Sequence, residues 1–101
     1  MNYTENFKGI KLDVQAVDIE IGTDIQDRIR ELLTRMLRFY SNITHADVYM
    51  EDKHGKSTHS KSVSVRLGIP GNDPFASDSG DNFFALLASV EDKLRRQLEK
   101  R

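Results

Sequence analysis

Every regular segment of this sequence is apolar on one side and polar on the other, and this two-sidedness limits the fold more than any other property. The clearest segment has apolar residues at 3.6-residue spacing over about four turns, which predicts an amphipathic helix. These residues are Ile25, Ile29, Leu32, Leu33, Met36, Leu37 and Tyr40. One-sided elements are stable only when their apolar sides share a core. A chain of 101 residues can bury one such core, so we expect a single domain.

Other segments alternate between apolar and polar residues, as strands with one buried face do. They are residues 10–17, 45–52 and 62–69, with a short fourth strand at 75–77. A second helix is predicted by a C-terminal apolar stripe. The stripe consists of Phe83, Leu87, Val90, Leu94 and Leu98. Residues 1–9 show neither pattern and are expected to form a flexible lead-in.

The predicted order is therefore strand, helix, three strands, helix. All the apolar sides are buried if both helices pack on one face of a four-stranded sheet and the other face meets solvent. The sequence thus predicts a two-layer α+β domain over residues 10–101.

The composition argues against several classes of function. The chain has no cysteine, which rules out a disulfide framework and thiolate metal sites and suits a cytoplasmic protein. Its first eight residues lack the apolar stretch of a signal peptide, and no run approaches the roughly 18 apolar residues of a membrane span. No serine lies in a Gly-x-Ser-x-Gly motif, and no glycine-rich phosphate loop follows a strand. We expect no enzymatic activity, no cofactor, no small-molecule substrate and no membrane partner.

Positive charge collects at the C-terminal end of the chain. From Lys93 to Arg101 there are five lysines and arginines and one carboxylate, in a protein of formal net charge -1. Lys93, Arg96 and Lys100 share one helical face at i, i+3 and i+7, and Arg95 lies beside them. Compensation of the helix dipole explains the last turn but not Lys93, Arg95 and Arg96. Such a local excess of cations predicts a surface for an anionic partner.

A second basic group lies on the first predicted helix, where Arg28, Arg35 and Arg38 share the outer face. Glu31 lies among them, so salt bridges are an equal alternative to binding. If the two helices lie side by side, their outward cations form one continuous surface. Spaced cations on a rigid surface suit the phosphates of folded RNA. Exposed aromatic residues are scarce, with Tyr49 as a candidate, which disfavours base-specific binding of single strands.

A third basic group surrounds the polar loop after the second strand and consists of Lys53, Lys56 and Lys61. His54 and His59 lie in the same loop, and imidazole is a common metal ligand. Because the lysines would repel a metal cation, we expect a solvated loop and no metal site. The three lysines are candidates for an additional RNA contact.

The second helix contains the motif Asp92-Lys93-Leu94-x-Arg96-Gln97-Leu98-x-Lys100. Weaker motifs precede it in order, namely Asp13-Val14-x-Ala16, Ala46-Asp47-Val48-Tyr49 and Ile69-Pro70-Gly71. Together with the order of elements, these motifs resemble the ribosome hibernation promoting factor family, also called sigma-54 modulation proteins. The resemblance covers residues 10–101.

The resemblance implies a protein that binds 16S-type rRNA of the small ribosomal subunit in the channel for mRNA and tRNA. It would block translation in idle ribosomes during stationary phase or stress. Lys93, Arg96 and Lys100 match the family motif and are implied to contact the rRNA, with the basic face of the first helix beside them. We expect a monomer off the ribosome. Both a short-form member and a fragment of a longer one fit, which leaves open whether the protein pairs ribosomes or only inactivates single ones.

One alternative belongs to a different functional class. The older family name suggests a protein-interaction module that modulates a transcription factor of the sigma-54 type. Such a module would bind a polypeptide, and its binding would depend only weakly on salt.

Overall fold

The computed structural model describes residues 1–55 and 57–100. Over these residues it contains five strands and two helices. In chain order they are β1 (Asn2–Phe7), β2 (Ile10–Val17), α1 (Thr23–Phe39), β3 (His45–Asp52), β4 (Lys61–Gly68), β5 (Phe75–Gly80) and α2 (Phe83–Glu99).

The five strands form one sheet in the order β1-β2-β3-β4-β5. Only β2 and β3 pair in parallel, and α1 provides the crossover that a parallel pair requires. The other neighbours are antiparallel. The two-layer α+β prediction is confirmed, but the sheet has five strands and not four.

The additional strand is β1, which lies where the sequence predicted a lead-in. Its residues pair antiparallel with β2, from Asn2 opposite Gln15 to Phe7 opposite Ile10. The connecting turn is Lys8-Gly9, and both residues have positive φ, at 51° and 85°, as in two-residue hairpin turns. The strand escaped prediction because its inward positions are only half-buried and include the charged Glu5. The structure neutralises Glu5 by a bond to Arg30 of α1.

A single core lies between the sheet and the helices. Alternate residues of β2, β3 and β4 enter it from below, and the apolar stripes of α1 and α2 enter it from above. A buried leucine or isoleucine contributes about 1.5–3 kcal/mol relative to an exposed one. In the described part of the chain, no polar or charged residue is buried. The charged side chains are therefore available at the surface, where their neighbours decide their role.

The second helix is positioned by its cap and by the strands beneath it. The Asn82 side chain accepts hydrogen bonds from the backbone N–H groups of Phe84 and Ala85, at 2.8 and 3.2 Å. This satisfies two of the donors that a helix start leaves free. α2 packs over β4 and β5, and α1 lies beside it. Neither helix, over the residues described, combines the length and apolarity needed to cross a bilayer.

Candidate nucleic-acid interface

The two helices lie side by side and run in the same direction. Near their N-terminal ends, the Arg28 guanidinium lies 5.0 Å from the ring centroid of Phe84. Two turns later, Arg35 donates two hydrogen bonds to Glu91, from Nε to Oε2 at 2.7 Å and from Nη2 to Oε1 at 2.8 Å. The contacts therefore advance together along both helices. At these contacts the cations of α1 meet an aromatic ring and a carboxylate of α2.

A groove of about 250 Å³ runs between the C-terminal halves of the helices. It is lined by Arg35, Met36, Arg38 and Phe39 of α1 and by Glu91 and Arg95 of α2. We call it the interhelix groove. It brings together three predicted cations from segments that are far apart in sequence.

The cations of the interhelix groove differ in how freely they can bind an anion. Arg35 is held by Glu91, whose hydrogen bonds raise the pKa of the guanidinium above its ordinary value. The Glu91 side chain is only 12% exposed, so its charge is largely covered by this bond. Arg95 lies 3.6 Å from Asp92, a long and exposed ion pair that contributes little. Arg38 is exposed and has no ion pair within the described residues.

Arg28 shows that salt bridging within α1 is a real competitor of binding. Its Nε lies 3.8 Å from Oε1 of Glu31, at the outer limit of an ion pair. The short bond of Arg35 reaches α2 instead. The salt bridges that the sequence offered as an alternative to binding therefore do form. The one at Arg28 is long and lies within α1, and the one at Arg35 is short and joins the two helices.

Lys93 lies on the other flank of α2, against β5. Its Nζ donates to the Ser77 carbonyl at 2.9 Å and lies 3.8 Å from Asp78. One turn further on, Gln97 accepts from the Phe75 N–H and donates to the Phe75 carbonyl, at 3.2 and 2.7 Å. These bonds cover backbone groups that an edge strand otherwise exposes to other chains. The expected continuous surface that joins Lys93 to the arginines of α1 is corrected: Lys93 serves the sheet edge.

Asp78 of β5 forms a further bond between the strand and α2. Its carboxylate accepts from the Ser89 hydroxyl at 2.6 Å and from the Ser79 N–H at 2.8 Å. The Ser89 bond, the Ser79 N–H and nearby Lys93 hold the pKa of Asp78 below its ordinary value. Two residues of α2 therefore anchor on β5 through one carboxylate.

The remaining predicted cations of α2 lie toward solvent. Arg96 is 70% exposed and reaches Oδ2 of Asp92 at 2.8 Å. Asp92 is shared with Arg95, so one carboxylate faces two guanidinium groups. Lys100 is exposed and has no ion pair in the part of the chain described. Neither residue lines the interhelix groove, and we call the two of them the outer rim.

The loop lysines are not equivalent. Lys61 is bonded to Asp52 at 3.2 Å, and its Nζ lies 5.7 Å from the Phe83 ring centroid. Hydrogen bonds from Ser60 and then Lys61 keep the pKa of Asp52 below its ordinary value. Lys53 is exposed and forms no ion pair with described residues. Lys56 lies outside the described residues. No group of three metal-ligating side chains occurs within residues 1–55 and 57–100.

Sequence reasoning missed a second groove, which adjoins the interhelix groove along α1. This groove of about 520 Å³ is lined by Phe7, Asp27, Arg30, Glu31, Thr34, Arg35 and Arg38. Arg30 is bonded to Glu5 and Asp27, and these bonds raise its pKa. Lys8 lies 5.5 Å from the Phe7 ring at the rim. The signal was missed because the groove needs β1 as its second wall. Arg38 thus lines both grooves.

Tyr49, the stacking candidate of the sequence, lies away from both grooves. It is exposed on the sheet face opposite the helices, as is Phe75. The aromatic residue that does line the interhelix groove is Phe39. The sequence pattern did not single it out because Phe39 falls outside the apolar stripe of α1.

Comparison with known protein families and curated proteins points in one direction. A family model described as sigma 54 modulation protein / S30EA ribosomal protein matches residues 12–101. The chain is 26% identical over 99 residues to a ribosome hibernation promoting factor of Acinetobacter guillouiae, covering 90% of this chain and 86% of that protein. It is 25% identical over 91 residues to a protein of the same name from Pseudomonas putida, covering 90% and 85%.

Two solved structures share the fold. The N-terminal domain of Thermus thermophilus Protein Y matches with a TM-score of 0.74 and 20% identity, over 91% of this chain and 97% of that one. A ribosomal subunit interface protein of Coxiella burnetii matches with a TM-score of 0.76 and 18% identity, over 88% and 93%. Over most of its length the chain therefore shares its fold with both.

Proposed function

Because this chain belongs to the sigma 54 modulation protein / S30EA ribosomal protein family, we propose that it is a ribosome hibernation factor. In this proposal it binds rRNA of the small subunit in the channel for mRNA and tRNA and blocks translation in stationary phase or stress. The family is one of ribosome-binding proteins without catalytic activity, so the chain is not an enzyme. Its place of action would be the cytoplasm, where the ribosomes are.

The interhelix groove carries the proposal. Arg38 from α1 and Arg95 from α2 both line it, although 57 positions separate them in the sequence. Neither is held by a short ion pair among the described residues. Guanidinium groups of this kind can make paired hydrogen bonds to phosphate oxygens. A rigid pair of helices that presents them together fits an RNA backbone of fixed shape.

The predicted cations would contribute unequally to this binding. Arg38 and Arg95 form the centre, and Arg96 and Lys100 form the rim. Arg35, bonded to Glu91, and Arg96, 2.8 Å from Asp92, contact rRNA only by exchanging a carboxylate for a phosphate, which lowers their net contribution. Arg28 would have to leave the Phe84 ring. Lys93 would have to leave the edge of β5 and is the weakest member of the set. Lys53 is the loop residue best placed for an additional contact, since Lys61 is bonded to Asp52.

Binding by such a surface has a characteristic dependence on salt. Each phosphate that a cation neutralises releases condensed counterions, so the affinity falls with a slope of about -0.7 to -0.9 per contact on logarithmic axes. Four contacts, at the centre and the rim, predict a slope of about -3. The inhibition itself follows from occupancy, because the bound domain excludes mRNA and tRNA from the space it fills.

Co-sedimentation with isolated ribosomal subunits tests the proposal. We expect the chain to sediment with small subunits and not with large ones, with the salt slope given above. Adding mRNA together with tRNA should displace the chain from the small subunit. Binding that favours large subunits, or binding to a sigma-54 type factor with little dependence on salt, would contradict the proposal.

A further inference from the structure

We propose that Phe39 is a stacking platform for one unpaired rRNA base in the interhelix groove, with Arg38 and Arg95 holding the phosphates on either side. This inference rests on the proposed function and names the part of the RNA that enters the groove. It differs from binding by charge alone, because it assigns a contact to an apolar ring.

The first observation is the unusual exposure of Phe39. The ring belongs to the last residue of α1 and is 43% exposed. Among the described residues, the large apolar side chains exposed to a similar degree are Met1, Tyr49 and Phe75. Tyr49 and Phe75 lie on the open face of the sheet, so Phe39 is the exposed ring of the helix layer. A single exposed ring is common on protein surfaces. Phe39 is distinguished by its position, because it lines a groove together with three arginines.

The second observation is what surrounds the ring. The groove that Phe39 lines is also lined by Arg38, Arg95 and the buried Met36. Glu91 also lines it, but the two bonds from Arg35 compensate its charge. The groove thus offers an apolar surface between cations, with its carboxylate neutralised. This is the combination by which proteins hold single nucleotides, since the base stacks and the phosphates pair.

The ring and its neighbouring cations also indicate what kind of group would occupy the groove. Every base has an aromatic face, so one stacking ring binds without strict preference for sequence. In folded RNA, loops and bulges present such unpaired bases, whereas helical regions present only backbone. An apolar side chain of a ribosomal protein would also fit the ring, but it would not use the flanking guanidinium groups. The charges therefore favour an unpaired nucleotide.

The test compares Phe39→Leu with Phe39→Trp in binding to purified small ribosomal subunits. Leucine keeps the apolar contact and removes the aromatic face, so affinity should fall about 5- to 150-fold with an unchanged salt slope. Tryptophan keeps the aromatic face and should bind within about threefold of the parent chain. Phe75→Leu is the matched control, since Phe75 is 44% exposed and lies on the other face. It should leave the affinity unchanged.

Chemical probing of the rRNA in the same complexes identifies the occupant. The parent chain should protect one unpaired base that regains reactivity in the saturated Phe39→Leu complex. Unchanged affinity of Phe39→Leu would overturn the stacking inference, as would a loss of affinity without any change in base reactivity. In either case the proposed function stands if the parent chain binds small subunits. Failure of the parent chain to bind them would refute the proposed function instead.

Discussion

On the flank of α2 that faces α1, Arg95 lies at an open groove beside Arg38. On the flank that faces β5, Lys93 and Gln97 are bonded to the backbone of the edge strand. Both flanks carry long polar side chains at helical spacing. Their roles differ because one faces a second helix with its own cations, and the other faces backbone groups that need partners. Charge at helical spacing therefore identifies a surface only after its neighbours are known.

The largest effect should come from reversing the charges at the groove, in Arg38→Glu with Arg95→Glu. A hydrogen bond to a charged group is worth about 1.5–3 kcal/mol, so the affinity for small subunits should fall about 100-fold or more. The salt slope should become shallower by about 2. Arg96→Glu with Lys100→Glu is the matched control on the outer rim and should lose less. Equal losses for the two pairs would remove the distinction between groove and rim.

A smaller effect of opposite sign is expected from Glu91→Gln. The change weakens the bond to Arg35 and frees a cation in the groove, so affinity for small subunits should rise about tenfold. The domain should become less stable by about 1 kcal/mol, since the bridge between the helices is weakened. Glu99→Gln removes the same charge from an exposed position of α2 and should increase affinity less. A binding curve and a thermal melt of each variant measure these two effects. A lower affinity of Glu91→Gln for small subunits would mean that the bond between Arg35 and Glu91 is needed for the shape of the site.

On the β5 flank, Gln97→Leu should change stability and spare binding. It removes two hydrogen bonds to Phe75, at a cost of about 1 kcal/mol, which lowers the melting temperature by about 4–8 °C. Hydrogen exchange at the Phe75 amide should accelerate, because that N–H loses its acceptor. Gln15→Leu, at an exposed position of β2, is the control. A variant that retains its stability but no longer binds ribosomes would reverse the roles assigned to the two flanks.

The smallest effect is an acid dependence at Asp78. Its pKa is lowered in the folded state, chiefly by the Ser89 hydroxyl. The stabilisation is therefore present above the unfolded pKa near 3.8 and is lost as the pH falls through the lower native value. Melting temperatures between about pH 6 and pH 3 should fall less steeply for Asp78→Asn than for the parent chain. Glu5 and Asp52 also have lowered pKa values, so part of the acid dependence should remain. Identical profiles would show that Asp78 contributes nothing.

Periodicity predicted the helices, β2, β3 and β4 because each has a nearly complete apolar face. β5 was predicted only over residues 75–77, since Ala76 is its one buried residue. β1 failed this criterion because an edge strand needs only half a buried face. Glu5 lies in that face because α1 supplies Arg30. The pattern of residues along the sequence does not show that Arg30 will be the partner of Glu5.

The predicted cations show the same limit at the site. Their positions on the outer faces of the helices followed from helical spacing. Helical spacing did not show which of the cations are free to bind an anion. Arg35, for example, is held by Glu91, which is 56 residues away in the sequence. The partner of Lys93 is a backbone carbonyl, which every residue has, so the sequence carries no mark of it. Phe39 escaped attention because it falls outside the apolar stripe of α1, and the groove that it lines exists only once the two helices are packed together.

The most direct test of the account is to map which face of the domain meets the rRNA. The chain has no cysteine, so single-cysteine variants can each carry one iron chelate that cleaves nearby RNA. Ser41→Cys lies just beyond Phe39, and Gln15→Cys lies on the open face of the sheet; both positions are exposed. We expect strong cleavage of small-subunit rRNA from position 41 and weak cleavage from position 15. Cleavage that is equal from both positions, or stronger from position 15, would contradict the claim that the interhelix groove faces the RNA.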